Sequence, residues 1–419
     1  MREMKDSGIE WIGEIPKDWE ITKIGMLYNL RITKVSDTDY APLSVTKMGV
    51  LPQLETVAKT NAHDDRKLVK KGDFVINSRS DRRGSCGISN YYGSVSLINI
   101  VLEPKNNMSS GYYSCLFKTV QFADEFYKNG HGIVDDLWTT GWQDMKRIIL
   151  PVPHYSEQQQ IANYLDTQCS EIDATAEDIQ KQISLLEDYK KSVITEAVTK
   201  GLNPDAEMKE SGIEWIGKIP INWQAVNPRW LFAQRKDKAK KGMEQYTASQ
   251  KYGVISQKDY MNRIGGSIVT VQKDFDILKM VCKGDFVIHM RSFQGGLEYS
   301  EHTGSISSAY VMLIPQKNIG ECRYFKWLFK SASYINALQS TSNLIRDGQA
   351  MRYSNFIQII IPYPPLEEQQ QIADYLDTKC SEIDSLIADK KRQLDILADY
   401  KKSLIYEYVT GKKEVPVNE

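Results

Sequence analysis

The sequence predicts an α+β chain made by tandem duplication. Two globular domains are each followed by a long helix, and the two helices pair as an antiparallel coiled coil with pseudo-two-fold symmetry. Three observations carry this. Ser7-Gly-Ile-Glu-Trp-Ile-Gly-Glu-Ile-Pro16 recurs at Ser211 with an offset of 204. Lys71-Gly-Asp-Phe-Val-Ile76 recurs at Lys283 with an offset of 212, and Glu157-Gln-Gln-Gln-Ile-Ala162 recurs at Glu368 with an offset of 211. The order is collinear, with about eight extra residues between Gly253 and Lys283 of the second copy. A loop absorbs such a change most easily. A unit of about 210 residues is the size of a domain with an appendage and is too long for a solenoid repeat.

Taken in order, Trp11, Ile12, Ile15, Pro16 and Trp19 form an apolar N-terminal segment, repeated at Trp215, Ile216, Ile219, Pro220 and Trp223. Runs at 41–46, 73–77 and 94–102 are rich in β-branched residues and read as strands. Gly72-Asp73 and Gly284-Asp285 are turn signals entering a strand. Helical stretches are expected near 109–128 and 320–340, so each domain is α+β and mostly antiparallel. The boundaries expected are 1–154 for the N-terminal segment and first globular domain, 155–202 for the central helix, 203–365 for the second domain, 366–411 for the last helix and 412–419 for a tail.

The long helices have the clearest pattern. Leu165, Ile172, Ile179, Leu186 and Val193 fall at seven-residue spacing, as a coiled-coil seam requires. Leu376, Ile383, Leu397 and Leu404 repeat the seam, with Lys390 and Lys401 interrupting it. Ser156 is the expected N-cap, and Gly201 and Gly411 are the expected stops. A helix of some 43 residues is on the order of 65 Å long. A narrow apolar stripe on such a helix needs a partner, and the repeat supplies one.

The chain has 53 Lys+Arg and 54 Asp+Glu, a formal net charge of −1. Any basic surface is therefore local. Six cysteines without a Cys-x-x-Cys pair imply reduced thiols and no structural metal. The N-terminus has no apolar signal region and no run is long enough to span a bilayer, so a cytoplasmic protein is expected.

No enzyme signature holds. Gly212 to Lys218 resembles a phosphate-binding loop, but Ile219 stands where a hydroxyl must ligate Mg²⁺, and Glu14 replaces the Lys in the first copy. The five histidines, His63, His131, His154, His289 and His302, show no paired spacing. Local basic clusters are the better signal. Arg66, Lys67, Lys70, Lys71, Arg79, Arg82 and Arg83 lie close in sequence, against Asp73 and Asp81. The second copy has Arg229, Arg235, Lys236, Lys238, Lys240 and Lys241, then Lys279, Lys283, His289 and Arg291. Lys and Arg suit phosphates, and Arg also suits guanine edges. Arg79 and Arg291 are equivalent by offset, as are the Lys47-Met-Gly-Val50 and Lys251-Tyr-Gly-Val254 segments. Asn343 and Arg346, in a polar loop, and the Gly130-His-Gly132 segment at the same place in the first copy, complete the candidates.

These duplicated motifs, together with Pro-x-Pro before Glu-Gln-Gln-Gln-Ile-Ala-x-Tyr-Leu-Asp, resemble the specificity subunit of Type I restriction–modification systems over essentially the whole chain. The resemblance implies two target-recognition domains, each reading one half of a bipartite double-stranded DNA site. The helices would set the spacer and dock two modification (methyltransferase) subunits. The chain itself would be non-catalytic and bind no cofactor. Its partners, including restriction/translocase subunits, would use S-adenosylmethionine, ATP and Mg²⁺. The rival reading is a coiled-coil interaction adaptor that reads no DNA.

Overall fold

The computed structural model describes residues 2–53, 65–105, 108–132, 138–265, 277–341 and 351–416. Its organising element is the strand spelled by the repeated Phe-Val-Ile. Side chains alternate across a strand, so in Phe74–Asn77 Phe74 and Ile76 share one face and Val75 the other. Phe74 and Ile76 pack with Tyr28, Tyr113 and Phe117, while Val75 packs with Leu43, Val69 and Val101. Both faces are covered, which is why the tripeptide is apolar throughout. The second copy repeats this. Phe286 and Ile288 pack with Phe232, Phe325 and Phe329, and Val287 packs with Tyr246, Val281 and Met312.

This strand belongs to a four-stranded antiparallel sheet in the order Cys86–Ile88, Phe74–Asn77, Asn99–Pro104, Tyr28–Leu30. The second copy has Glu298–Tyr299, Phe286–Ile288, Val311–Pro315, Phe232–Gln234 in the same order. The run expected as one strand over 94–102 folds as two, Gly93–Ser96 and Asn99–Pro104. The Asn99 side-chain amide donates to the Ser96 carbonyl at 3.1 Å and closes a turn there. Helices Ser110–Phe117 and Val120–Lys128 cover the aromatic side, as do Cys322–Leu328 and Ala332–Ser340 in the second copy. The length difference before Lys283 begins with a helix, Gln257–Ile264, rather than a bare loop. Ser256 caps it at one end and Gly265, at φ 64°, ends it.

The Asp of each Lys-Gly-Asp is more than a turn former. Asp73 accepts two hydrogen bonds from the Arg31 guanidinium, at 2.7 and 3.0 Å, and one from the Lys70 amide at 2.8 Å. Asp285 does the same with Arg235, at 2.7 and 2.8 Å, and with the Cys282 amide at 2.8 Å. Both carboxylates are buried. Hydrogen bonding to Asp73 raises the Arg31 pKa, and Asp285 acts likewise on Arg235.

Two compact units result, and only the second is contiguous in sequence. One comprises Met1–Ile179 with Arg392–Glu419, the other Gln180–Lys391. Each unit takes one globular domain, the start of the long helix that follows it, and the end of the other long helix. Those helices are Tyr155–Lys200 and Leu366–Val409. At the helix start, the Trp19 indole donates to Glu157 at 2.9 Å, and the Trp223 indole donates to Glu368 at 2.7 Å. Gln158 accepts from the Ser109 amide at 2.9 Å and donates to the Pro153 carbonyl at 2.9 Å. Gln369 accepts from the Glu321 amide and donates to the Pro364 carbonyl, both at 2.8 Å. At the helix end, the Tyr112 hydroxyl donates to the Val409 carbonyl at 2.8 Å, and the Tyr324 hydroxyl donates to the Val198 carbonyl at 3.0 Å.

Ser156 is not the N-cap. The helix begins one residue earlier, at Tyr155, because the Gln158 side chain bonds back to Pro153 and its amide bonds to His154. Gly201 and Gly411 take left-handed φ of 80° and 72° just past the two helices. Within each unit the helix segments run antiparallel. In the first, Lys401 pairs with Asp173 at 2.6 Å, and Tyr164 and Tyr408 meet as tilted rings with centres 4.7 Å apart. In the second, Lys190 pairs with Asp384 at 2.6 Å. Lys401 does not break the seam, because its stem lies along it while its ammonium reaches a carboxylate on the facing helix. Leu165, Ile172, Ile179, Val193, Leu376, Ile383 and Leu404 are buried, while Leu186 and Leu397 are half-buried.

Replacing Asp73 or Asp285 by Ala removes the buried carboxylate that also accepts from a backbone amide, leaving Arg31 with Glu103 at 3.0 Å and Arg235 with Asp237 at 2.9 Å. Such a loss costs about 1–3 kcal/mol. Urea unfolding of each variant is expected to lower the midpoint of the unit carrying the change and leave the other unit's transition in place. A uniform shift of both transitions would contradict it.

Candidate nucleic-acid interface

The turn of the hairpin formed by Leu43–Thr46 and Gly49–Pro52 presents Lys47 and Met48 to solvent. Met48 is 79% exposed. Thr46 Oγ1 accepts from the Met48 amide at 3.1 Å and holds the turn. The turn rests on Gly87, where an added Cβ would lie 2.9 Å from the Gly49 Cα. Gly49, at φ 120°, also lies against Lys118. In the second copy the hairpin Tyr246–Ser249 and Gly253–Ser256 is one residue longer at its turn. Its Gln250 side chain donates to the Arg291 carbonyl at 3.0 Å. Lys251 and Arg263 approach the two neighbouring sides of Tyr252, at 5.2 and 5.0 Å from the ring centre.

The second hairpin turn therefore meets the segment that follows the Phe-Val-Ile strand, through Gln250 on the Arg291 backbone. The first turn instead rests on the strand Cys86–Ile88, which comes after the Arg79–Arg83 segment in the chain. Arg79 pairs with Asp81 at 3.1 Å, Arg82 with the same Asp81 at 3.6 Å, and Arg83 with Asp124. Exposed ion pairs of this sort contribute about 0.2–1 kcal/mol each. Such arginines exchange carboxylate for phosphate at small cost. Thr139 bridges both Arg79 and His131 through the backbone, so His131 joins these arginines on one rim.

Other sequence candidates separate. Lys70, Lys71 and Lys283 are exposed but precede their strands, whereas Arg79–Arg83 and Arg291 follow them. A strand of four residues puts about 13 Å between the two ends. His289 is 5% exposed and cannot touch a ligand in solvent. Its place is structural, because it ends the buried Phe-Val-Ile strand. Arg66 is buried on Ser94, at 2.8 Å to Oγ and 3.0 Å to the carbonyl. Lys67 reaches the Leu97 and Asn99 carbonyls at 2.8 and 2.7 Å, and burial lowers its pKa. Arg235 is taken by Asp285. Asn343 and Arg346 lie outside the described residues. Lys118 and Arg263 were not singled out from sequence, whereas Tyr252 lies within the Lys251-Tyr-Gly-Val254 candidate segment.

The site offers binding rather than bond-making. Burial pushes the thiols up, Cys86 to about 12 and Cys115 and Cys380 to about 11, so they stay protonated and non-nucleophilic. Among the described residues no group of His, Cys, Asp and Glu is arranged to hold a metal, and no helix is long and apolar enough to cross a membrane.

Comparison with known proteins accords with this geometry. Residues 16–185 and 220–395 match the family described as Type I restriction modification DNA specificity domain. The chain is 24% identical to a putative type I restriction enzyme MjaX specificity subunit of Methanocaldococcus jannaschii, covering 96% of both chains. It is 25% identical to that organism's type I restriction enzyme MjaVIII specificity subunit, covering 96% of this chain and 94% of the relative. In fold it is similar to a chain from a structural study of complex assembly and conformational transition of the type I R-M system. The TM-score there is 0.70 at 12% identity, covering 95% of this chain and 99% of that one. It is also similar to the HsdS subunit from Thermoanaerobacter tengcongensis, with a TM-score of 0.51 at 14% identity and coverage of 95% and 98%.

Gly87→Ala is expected to displace the Lys47–Met48 turn, since backbone rather than a flexible side chain blocks the added methyl. Overpacking of this kind costs about 1–3 kcal/mol. Hydrogen exchange should show faster opening of the hairpin amides in the first unit only, and unchanged exchange would refute the contact's importance.

Proposed function

The chain belongs to the Type I restriction–modification DNA specificity family, and from that premise we propose that each unit reads one half of a bipartite duplex site. It is the specificity subunit of such a system and not a catalytic one. The observation that carries the half-site reading is the repeated surface: a Lys-bearing hairpin turn and an Arg-bearing segment after the central strand, built once on each of two equivalent sheets. The first surface uses Lys47, Arg79, Arg82 and Arg83. The second uses Lys251, Arg263 and Arg291. Unlike residues on like scaffolds suit two unlike half-sites. The near-zero net charge leaves phosphate attraction modest, so base-edge contacts and partners must supply much of the selectivity.

The helices would set the spacer and dock the partners. Leu185 and Tyr189 are 69% and 51% exposed, and their equivalents Ile396 and Tyr400 are 60% and 51% exposed. An apolar pair repeated in both copies suits two copies of one partner, here two modification subunits. Those subunits, with restriction subunits, would bring S-adenosylmethionine, ATP and Mg²⁺, and the complex would act in the cytoplasm.

Methylation mapping of cells with and without the chain would return both half-sites. Arg79→Ala and Arg291→Ala are each expected to relax discrimination at one half-site only. A bidentate arginine contributes about 1–3 kcal/mol of discrimination, or roughly 5- to 150-fold. Equal loss at both halves, or none, would sink the assignment. Leu185→Asp should remove one modification subunit from the purified complex, read as a mass difference, without changing which half-sites are recognised.

A further inference from the structure

The two proposed contact arginines are presented by the same local device made from different chemistry. In the first unit the Arg79 amide donates to the Asn77 side-chain oxygen at 3.1 Å. In the second unit the Arg291 amide donates to His289 Nδ1 at 3.3 Å. Asn77 and His289 are equivalent, each ending the Phe-Val-Ile strand two residues before its arginine. A side chain that accepts from the amide two residues on fixes a tight turn. This turn decides where the arginine leaves the sheet.

We propose that Asn77 and His289 are positioning residues for Arg79 and Arg291, and that the imidazole makes recognition of the second half-site, but not the first, sensitive to protons. This rests on Arg79 and Arg291 contacting DNA.

The tautomer follows from the geometry. Nδ1 accepts the Arg291 amide, so the hydrogen of the neutral ring sits on Nε2. Nε2 is buried without a hydrogen-bond partner, and Glu298 Oε1 is 3.7 Å away. Lys330 faces the same carboxylate and also donates to the Gly295 carbonyl at 3.0 Å. Tyr310 lies edge-on to the imidazole with ring centres 6.2 Å apart. The His289 amide donates to Ser292 Oγ at 2.9 Å, which anchors the backbone. A second proton can go only onto Nδ1. It would set two donors, Nδ1–H and the Arg291 amide, against one another, while the new cation gains Glu298. Acid therefore releases the Arg291 turn. Asn77 has no such proton to take.

The test uses the full chain assembled with its modification subunits and three duplexes: one with both mapped half-sites, and two with one half-site scrambled. The readout is the affinity penalty for each scrambled half-site between about pH 8 and about pH 5.5, the range in which imidazoles change charge. Loss of one hydrogen bond corresponds to about a two- to tenfold change. The penalty for the second half-site is expected to shrink by that factor in acid, with the first half-site's penalty unchanged. His289→Asn, which installs the first unit's device, should keep the penalty and abolish its pH dependence. Asn77→His should transfer the dependence to the first half-site. Thermal melting checks that both variants fold. Dependence that persists in His289→Asn, or that is equal at both half-sites, overturns the inference while leaving the contact reading intact. If Arg291→Ala leaves second-half-site discrimination unchanged at every pH, the contact reading falls and this inference with it.

Discussion

The structure depends on a clamp between each globular domain and the long helix beginning after it. Trp19 and Trp223 donate to Glu157 and Glu368, and the adjacent Gln158 and Gln369 are buried with their amides satisfied by backbone. A buried polar group left without a partner costs about 1–3 kcal/mol. The two motifs are therefore tied to each other: the tryptophan of one needs the glutamate of the other. Only the first glutamine of each Gln-Gln-Gln is buried; the next two are exposed. The same domains hold the end of the other helix through Tyr112 and Tyr324. The first unit thus draws on chain segments more than two hundred residues apart.

With the strands buried on both faces, little of either domain is free to vary. Phe74, Val75 and Ile76 all face packed neighbours, and so do Phe286, Val287 and Ile288. The surface varies at a hairpin turn one residue longer in the second copy and at the segment after the central strand, while core exchanges such as Val95 for Ile306 and Val101 for Met312 keep apolar character. Rim residues can change without leaving a cavity, so two unlike surfaces can stand on one scaffold. The first unit's rim arginines are held by exposed carboxylates that compete weakly with phosphate. Surface pairing is also why a chain of net charge −1 can present cationic groups where they are needed.

Much of this was legible in the residues. Apolar periodicity reports burial directly, so the seam and the Phe-Val-Ile core were readable. The duplication displayed which segments must stay alike. Charge was less readable. Arg66, Lys67 and Arg235 look like neighbours of Arg79 and Arg291 in a list of cations, yet each is occupied by an internal acceptor. His289 looked like a contact and is buried. The split of 94–102 into two strands hinged on one Asn99 hydrogen bond, which no propensity encodes. Ser156 lost the cap because Gln158 reaches back a turn further.

The sequence by itself determined the repeat, the strand and helix types, the seam and the absence of a recognisable catalytic motif, because these follow from local spacing and composition. Only the tertiary structure decided that a unit combines one domain with the end of the other helix. Likewise, it alone showed which cations face solvent and that Asn77 and His289 each accept from the amide two residues further on. Those outcomes depend on which acceptor happens to lie within about 3 Å of a donor far away in the chain, and linear order carries no record of that distance.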